Sequence, residues 1–202
     1  MKSFRLVNLM WRVVVVALLS LGYQLVYANQ WGAGAPITAV STGNAGQFAS
    51  MTTVNGNPAI AYFEGTAFDL MYVRATDATG TAWGTPVAVQ TTGTVGRHIQ
   101  LMVVNGNPAI AYRNSSGSGL SYIRATDANG TTWGTPVAIG GASVASVSMA
   151  IVDGRPAIAY HTGFFSLNYV RANDADGTTW ARPSFWIVPH PMAQVFCQFS
   201  GD

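Results

Sequence analysis

Two segments of the sequence each occur three times at intervals of about 50 residues, and this repetition limits the possible folds more than any other feature. The first segment reads Val-Asn-Gly-Asn-Pro-Ala-Ile-Ala-Tyr in two of its copies, and the second begins with Tyr and ends with Trp. Such a period is typical of proteins in which similar units stack and bury each other's apolar faces. The copies lie at 54–62, 104–112 and 152–160 for the first segment, and at 72–83, 122–133 and 169–180 for the second.

Each unit predicts four short antiparallel strands separated by turn residues. Asn55 and Gly56 favour a tight type I′ hairpin, because both tolerate positive φ, and Pro58 stands at the start of a strand, where its missing N–H costs least. Four such strands in 40–50 residues are the pattern of a β-propeller blade. We therefore predict an all-β fold, with about three propeller-type four-stranded antiparallel blades in tandem forming an incomplete ring. In the first full unit the strands are expected at 48–54, 58–63, 70–76 and 85–90, with a variable loop at 64–69 and a turn at 77–83.

The composition agrees with an all-β globular chain. Apolar residues make up 49% of the 202 residues and charged residues only 9%, which excludes intrinsic disorder. The scarcity of charge also speaks against helical bundles and coiled coils, which are rich in Glu and Lys. Cys197 is the only cysteine, so no disulfide can form within the chain and packing must supply the stability.

The N-terminal residues predict a secretory signal peptide. Three basic residues among the first 12 positions precede an apolar run at 13–21, and small residues near Ala28 favour cleavage after that residue. The alternative is a transmembrane anchor, which needs about 20 apolar residues, but Gly22, Tyr23 and Gln24 interrupt the run. The expected location is therefore outside the cell or on its surface.

The charge balance changes once this segment is removed. Three of the ten Lys and Arg residues of the chain lie in it, and the seven that remain are balanced by eight Asp and Glu residues. No basic patch suited to a phosphate backbone survives, so nucleic acid is not an expected partner. No membrane association is expected after cleavage either.

An Asp-containing turn follows the predicted third strand of every unit. Its sequence, Asp-x-x-Gly-x-x-Trp, resembles the Asp-box of sialidase-like β-propellers, which is usually Ser-x-Asp-x-Gly-x-Thr-Trp. This chain has one extra residue between Asp and Gly, and Ala82 replaces Thr in the first copy. The resemblance implies a structural turn between the third and fourth strands, in which the carboxylate accepts turn N–H groups and the Trp packs between strands. The residues that carry it are Asp77, Gly80, Trp83, Asp127, Gly130, Trp133, Asp174, Gly177 and Trp180.

The connections between strands separate a repeated side of each blade from a variable one. Successive turns of an antiparallel blade alternate between its two ends, and the first-to-second and third-to-fourth turns are nearly identical in all units, whereas the other two connections differ. Binding residues are commonly carried by variable loops on a rigid scaffold. The alternative is that these are ordinary solvent-facing loop residues. The candidate ligand-binding residues are Glu64, Phe68, Asp69, Arg97, His98, Arg113, His161 and Phe164, with Phe165 as a further apolar platform.

No catalytic residue is predicted. Sialidases hold a substrate carboxylate with three arginines, but Arg74, Arg124 and Arg171 occupy identical strand positions, which favours pairing with a carboxylate or with carbonyls of the next blade. Retaining sialidases also need a Tyr activated by a Glu and a separate acid. Glu64 is the only Glu in the chain, so hydrolysis is disfavoured.

No metal or other cofactor is predicted. Asp174 and Asp176 in sequence before Gly177 suggest a calcium loop, but the remaining ligands and the terminal Glu are missing. Two histidines on the variable side lack a clustered third ligand.

The repeats divide the chain into three parts. We predict a signal peptide at 1–28, a repeat domain at 29–180 and an atypical tail at 181–202. Closed propellers usually need four to eight blades, so the chain is a fragment of a longer propeller, an open stack of blades, or a chain that completes a ring as a homo-oligomer. Within the repeat domain the units are about 47–96, 97–143 and 144–180, preceded by an outer strand at 31–40.

Two functions of different classes are compatible with these features. The first is an exported, non-catalytic propeller repeat protein that binds a glycan or a surface protein. The second is a divergent or remnant sialidase-like glycoside hydrolase. The regularity of the units favours the first, because an enzyme site usually makes one blade differ sharply from the others. A purely structural repeat without a small ligand is a third possibility.

Overall fold

A computed structural model describes residues 36–117, 119–140, 143–162 and 166–181. The chain divides into two compact units, Met1–Thr38 and Ala39–Asp202. Of the first, only residues 36–38 are described, and they form no regular secondary structure. The predicted signal peptide, Phe164, Phe165, Cys197 and nearly all of the predicted tail lie outside the described residues. The architecture below belongs to the second unit.

The described part of the second unit consists of eleven strands in three antiparallel sheets. Each sheet is a meander in which consecutive strands pair, and we call the sheets blades 1, 2 and 3 in chain order. No helix occurs among the described residues, and so none that could cross a membrane. Blade 1 contains β1 (Gln47–Val54), β2 (Asn57–Glu64), β3 (Asp69–Arg74) and β4 (Val87–Gln90). Blade 2 contains β5 (Val95–Val104), β6 (Asn107–Asn114), β7 (Gly119–Arg124) and β8 (Val137–Gly140). Blade 3 contains β9 (Val144–Val152), β10 (Arg155–Thr162) and β11 (Ser166–Arg171).

These sheets are propeller-type blades, which confirms the predicted fold class. In blades 1 and 2 the order of the four strands follows the chain, and blade 3 has three described strands. The third strand of blade 1 ends at Arg74, before the predicted boundary, and continues only as an isolated bridge between Ala75 and Trp83. Of the outer strand predicted at 31–40, residues 36–40 are described and lie outside any strand.

The two-residue hairpins between first and second strands have the predicted geometry. Asn55 and Gly56 have φ values of 43° and 81°, as a type I′ turn requires. The corresponding turns of blades 2 and 3 have positive φ at both central residues as well. Hairpin geometry and strand register are therefore set locally in every blade.

The hydrophobic core lies between the blades. The front face of a blade is defined as the side that carries Leu70 and Tyr72 in blade 1. The back face is the opposite side, which carries Leu101 and Ile110 in blade 2. One apolar cluster joins the front of blade 1 to the back of blade 2, and a second joins the front of blade 2 to the back of blade 3. Each blade thus depends on its neighbour to remove apolar surface from water.

A tyrosine and a tryptophan connect each pair of adjacent blades. The Tyr72 ring meets the Trp133 ring edge-to-face at 5.3 Å, and its hydroxyl donates to the carbonyl of Asn129 at 3.1 Å. Burial raises the pKa of Tyr72 to about 12, so the hydroxyl remains a donor at neutral pH. Tyr122 makes the same contacts with Trp180 and with the carbonyl of Asp176.

Gly130 is required at this contact. Its φ is +76°, and an added Cβ would lie 2.6 Å from the Cε1 atom of Tyr72. Gly177 stands in the same relation to Tyr122. The glycine of the Asp-containing turn therefore permits the tyrosine of the preceding blade to approach the backbone.

The Asp carboxylates organise these turns. Asp127 accepts hydrogen bonds from the N–H groups of Asn129, Thr131 and Thr132 at 2.9, 3.0 and 2.8 Å. Burial alone would raise the pKa of Asp127, but the bonds from Thr132 and Asn129 hold it well below its usual range. Asp77 and Asp174 act in the same way in their own turns.

The lowered pKa values of the three turn aspartates predict that the stability of the fold depends on pH. Because the aspartates have lower pKa values in the folded state, the unfolded chain takes up protons first as the pH falls below about 4. We expect the melting temperature to be insensitive to these groups above that pH and to fall below it. Thermal melts from pH 7 to pH 2 measure this.

A substitution in one turn tests whether the turn aspartates cause the loss of stability at low pH. Asp127→Asn should lower the stability at pH 7 by about 1–2 kcal/mol and weaken the loss at low pH. Asp153→Asn is the control, because the exposed carboxylate of Asp153 contacts only Arg171 among the described side chains. Identical acid profiles for wild type and Asp127→Asn would contradict this role.

The repeated arginines bind mainly within their own blades. Arg74 donates from Nε to the carbonyl of Val54 at 2.9 Å and from Nη2 to that of Asn55 at 2.8 Å. Arg124 makes the equivalent bonds and also lies 3.3 Å from the carboxylate of Asp176 in the next blade. The expected carboxylate partner is present for Arg124 and also for Arg171, which lies 3.4 Å from the carboxylate of Asp153 in its own blade. The carbonyls that accept from Arg74 belong to its own blade and not to the next one. These arginines hold the hairpin to the third strand.

Candidate functional site

The blades have two chemically different ends. At the turn end, Asn55 donates to the side chain of Asn129 at 2.9 Å, so the hairpin of blade 1 adjoins the Asp-containing turn of blade 2. At the opposite end, which we call the variable end, the N–H of Val95 donates to the carbonyl of Phe68 at 3.1 Å. This contact joins the start of β5 to the loop between β2 and β3. The sequence analysis placed its candidate residues in the connections of this end. Among the described candidates only Phe68 lies in a connection, and the others lie in the adjoining strand ends, because the strands extend further than predicted.

An aromatic platform made of Phe48, Phe63 and Phe68 lies at the variable end between blades 1 and 2. Phe63 is buried and contacts both other rings with centroid distances of 6.2 Å. Phe48 and Phe68 are exposed. An apolar ring surface open to solvent suits the C–H faces of sugars.

Two polar side chains of β5 rest on this platform. The guanidinium carbon of Arg97 lies 5.5 Å from the centre of the Phe63 ring, a cation–π distance. The His98 ring lies 5.3 Å from the Phe48 ring. The structure therefore brings three predicted residues, Phe68, Arg97 and His98, into one cluster. The sequence analysis missed Phe48 and Phe63, which join them.

A bulge in the first strand of each of blades 1 and 2 directs these side chains. The register shifts between Gln47 and Ser50 in β1, and it shifts on both sides of Arg97 in β5. Phe48 and His98 have φ values of 53° and 50°, which are uncommon for residues other than glycine. Bulges of this kind re-aim side chains at binding sites.

Arg97 and Arg113 form an unneutralised pair of positive charges. They are register partners across β5 and β6. Within the described part of the chain, neither forms a salt bridge or a hydrogen bond, and the Nε atom of Arg97 is buried without a partner. Like charges opposite each other in a sheet are unfavourable. An acidic group placed between them would satisfy both.

His98 lies in the field of this pair. Burial lowers its pKa, and the charges of Arg113 and Arg97 lower it further. The imidazole is therefore neutral at pH 7, with one nitrogen available as donor and the other as acceptor.

Glu64 holds the loop between β2 and β3. Its carboxylate accepts hydrogen bonds from the N–H groups of Ala67 at 2.6 Å, Asn44 at 2.8 Å and Thr66 at 3.0 Å. These bonds, that from Ala67 above all, lower the pKa of Glu64 to about 2. The carboxylate thus remains ionised and engaged with backbone. This geometry suits a loop anchor and leaves no proton to donate at neutral pH.

The remaining predicted residues lie apart from the platform or outside the described part. Asp69 is the register partner of Glu64, and burial together with the charge of Glu64 raises its pKa. His161 is half-buried near the end of β10 and has no ring contact with a described aromatic residue. Phe164 lies outside the described residues.

Three residues at the variable end occupy equivalent positions of the repeat. Phe63, Arg113 and His161 occupy the same place in the second strands of the three blades, where the pairing with the first strand reaches the variable end. This equivalence could have been recognised from the sequence, because each of the three residues lies at the same distance from the hairpin of its unit. One structural position thus holds an aromatic ring, a guanidinium and an imidazole in successive blades.

A cleft at the turn end was not predicted from the sequence. It has a volume of about 350 Å³ and lies between blades 2 and 3, lined by Tyr122, Arg124 and Asp176 among others. Its two charged side chains already pair with each other. In the described ranges no group of three or more His, Cys, Asp or Glu residues is placed to hold a metal ion.

Comparison with known proteins gives structural overlaps only. No protein-family profile matches the sequence, and no curated protein matches it. The Bacteroides ovatus xyloglucan PUL GH43B protein overlaps 71% of this chain and 30% of its own at 14% identity, with a TM-score of 0.49. An α-L-arabinofuranosidase of Podospora anserina overlaps 68% of this chain and 49% of its own at 12% identity and a TM-score of 0.49. One of Clostridium thermocellum overlaps 66% and 49% at 14% identity and the same TM-score.

The chain therefore spans less than half the length of these structures. Overlaps at this level of identity and TM-score carry no argument about activity. The propeller-type architecture rests on the strand order, the register and the interblade cores described above.

Proposed function

We propose that this protein is an exported, non-catalytic β-propeller module that binds carbohydrate at its variable end. The observation that carries the proposal is the exposed aromatic platform with Arg97 stacked on it and lacking a polar partner among the described residues. Aromatic faces stack on sugar rings, and guanidinium groups bind acidic substituents with paired hydrogen bonds. The preferred ligands are therefore glycans that carry a carboxylate or a sulfate.

Two further features support binding over hydrolysis. Glycoside hydrolysis needs two carboxyl groups with separate roles. Of the two predicted carboxylates at the variable end, Glu64 and its register partner Asp69, Glu64 is engaged by three backbone N–H groups. The Asp-containing turns, which we propose to be variants of the Asp-box, serve the scaffold, since those of blades 2 and 3 contact the preceding blade. Export is proposed from the N-terminal sequence.

A glycan array followed by titration tests the proposal. We expect saturable binding to acidic glycans and weaker binding to their neutral counterparts. Arg97→Gln should weaken acidic-glycan binding at least about 10-fold, and Phe68→Ala should weaken binding to both classes because it removes an exposed stacking face. Arg171→Gln at the turn end is the matched control and should bind like the wild type.

A parallel assay with a fluorogenic sialoside distinguishes a binding module from a glycoside hydrolase. Binding without turnover supports the module. Turnover that is lost in a Glu64→Gln variant, which retains one acceptor oxygen for the loop, would contradict the proposal and favour a hydrolase.

A further inference from the structure

His98 lies beside the arginine pair of the variable end, and both of its ring nitrogens are unused. It follows Arg97 in β5, and Arg113 is the register partner of Arg97 in β6. Within the described residues the ring of His98 contacts Phe48, but neither of its nitrogens forms a hydrogen bond. Like the two arginines, His98 is half-buried, so its polar atoms are partly shielded from water and still open to a ligand.

The backbone of β5 places His98 and Arg97 on the same aromatic platform. Regular alternation would direct two consecutive side chains to opposite faces of a strand. Arg97, however, lies over the ring of Phe63. His98 lies against Phe48, which itself contacts Phe63. The register shifts on both sides of Arg97 and the φ of 50° at His98 therefore bring the guanidinium and the imidazole to one surface.

The charges that act on His98 are positive. Burial lowers its pKa most, and the charges of Arg113 and Arg97 lower it further. Tyr112, the neighbour of Arg113 in β6, has a pKa of about 12 because it is buried, and it stays neutral. Protonation of the free imidazole would add a third positive charge to a pair that already repels itself. The ring is therefore uncharged at neutral pH as long as the site is empty.

The acidic side chains of blade 1 at the variable end do not neutralise this cluster. Glu64 in β2 accepts N–H groups of the adjoining loop, and its pKa of about 2 keeps it ionised near neutral pH. Asp69 in β3 is its register partner. Neither carboxylate forms a salt bridge with an arginine among the described residues. An incoming anion therefore meets an excess of positive charge.

We propose that His98 takes up a proton when an acidic glycan binds at the variable end, so that acidification strengthens binding. This inference rests on the proposed function and adds a regulation of the same site. An anion held by the two guanidinium groups weakens the field that keeps the imidazole neutral, and it offers an oxygen to the ring. The proton comes from solvent, and the imidazolium then donates it in a hydrogen bond to the anion. Because the complex holds more protons than the free protein, affinity rises as the pH falls.

Titration calorimetry with a κ-carrageenan tetrasaccharide tests the proposal, because sulfate esters keep their charge between pH 7.5 and pH 5.5. We expect the dissociation constant to be at least about 3-fold lower at pH 5.5, since each unit by which binding raises the pKa of the imidazole strengthens binding by up to about 10-fold. Titrations at pH 6.5 in buffers with different enthalpies of ionisation measure the proton uptake directly. The desulfated tetrasaccharide carries no anion and should bind without proton uptake.

A variant assigns the effect to His98. His98→Asn keeps a hydrogen-bond donor and a residue type that tolerates positive φ, but its side chain does not titrate. Its affinities at the two pH values should therefore agree within about 2-fold. Arg171→Gln at the turn end is the matched control and should show the increase of the wild type. Circular dichroism at both pH values checks that each protein remains folded.

The outcomes separate this inference from the proposed function. Proton uptake that accompanies binding and disappears in His98→Asn supports the inference. Equal wild-type affinities at the two pH values, or tighter binding at pH 7.5, would overturn it and leave acidic-glycan binding in place. A pH dependence that persists in His98→Asn would assign the proton to another group and overturn it as well. Absence of binding to any acidic glycan at either pH would refute the proposed function and this inference with it.

Discussion

Leu120→Ala should lower the free energy of unfolding by about 3 kcal/mol, one of the two largest effects expected in this protein. Leu120 is fully buried in the apolar cluster between the front of blade 2 and the back of blade 3, together with Tyr122 and Ile158. The substitution removes buried methyl groups and leaves a cavity that two packed sheets cannot easily close. Urea denaturation measures the loss.

The repeat supplies a control at the same position. Leu167→Ala makes the identical change on the exposed front of blade 3 and should cost less than about 0.5 kcal/mol. Both variants are compared at the same protein concentration and temperature. Equal losses in the two variants would contradict the conclusion that the adjacent blade is what stabilises each front face.

Trp133→Ala should cost about 3 kcal/mol as well. Trp133 packs edge-to-face on Tyr72 at 5.3 Å and donates from Nε1 to the carbonyl of Gly130 at 3.0 Å. Its loss would uncover Tyr72 and loosen the turn whose backbone accepts the tyrosine hydroxyl. We expect a lower melting temperature and increased hydrogen exchange at the interface of blades 1 and 2.

Trp83→Ala is the matched control for this prediction. Trp83 makes the same hydrogen bond within its own turn, to the carbonyl of Gly80 at 3.0 Å, but in the described part of the chain it has no tyrosine to cover. The expected cost is about 1 kcal/mol. A cost as large as that of Trp133→Ala would mean that the tryptophan stabilises its own turn and not the interface between blades.

Much of the candidate site followed from comparing the units of the sequence with each other. The segments that differ between units contain Phe68, Arg97, His98 and Arg113, and the structure places all four at the variable end, although Arg97, His98 and Arg113 lie in the strands β5 and β6 and not in the predicted loops. Phe48 and Phe63 were missed because they read as ordinary strand residues at the limits of β1 and β2. The bulge that turns Phe48 toward His98 needs positive φ at residues other than glycine, and no local sequence signal predicts that.

Glu64, by contrast, was predicted as a ligand-binding residue and is a loop anchor in the structure. Its charge and its place in a variable loop suggested a ligand contact, but its carboxylate accepts three N–H groups once the loop closes. One of these comes from Asn44, twenty positions away. Such a partner is invisible to local sequence reasoning because it depends on how two separate segments meet.

The sequence by itself determined the blades of this protein, because hairpin geometry, strand alternation and turn capping depend on neighbouring residues and recur with the repeat. The tertiary structure decided which copies of a repeated residue are buried and which side chains form a site. Leu120 and Leu167 occupy the same position of the repeat, yet Leu120 is buried and Leu167 is exposed. Burial depends on what packs against a face, and in a stack of similar units the neighbouring blade supplies that packing.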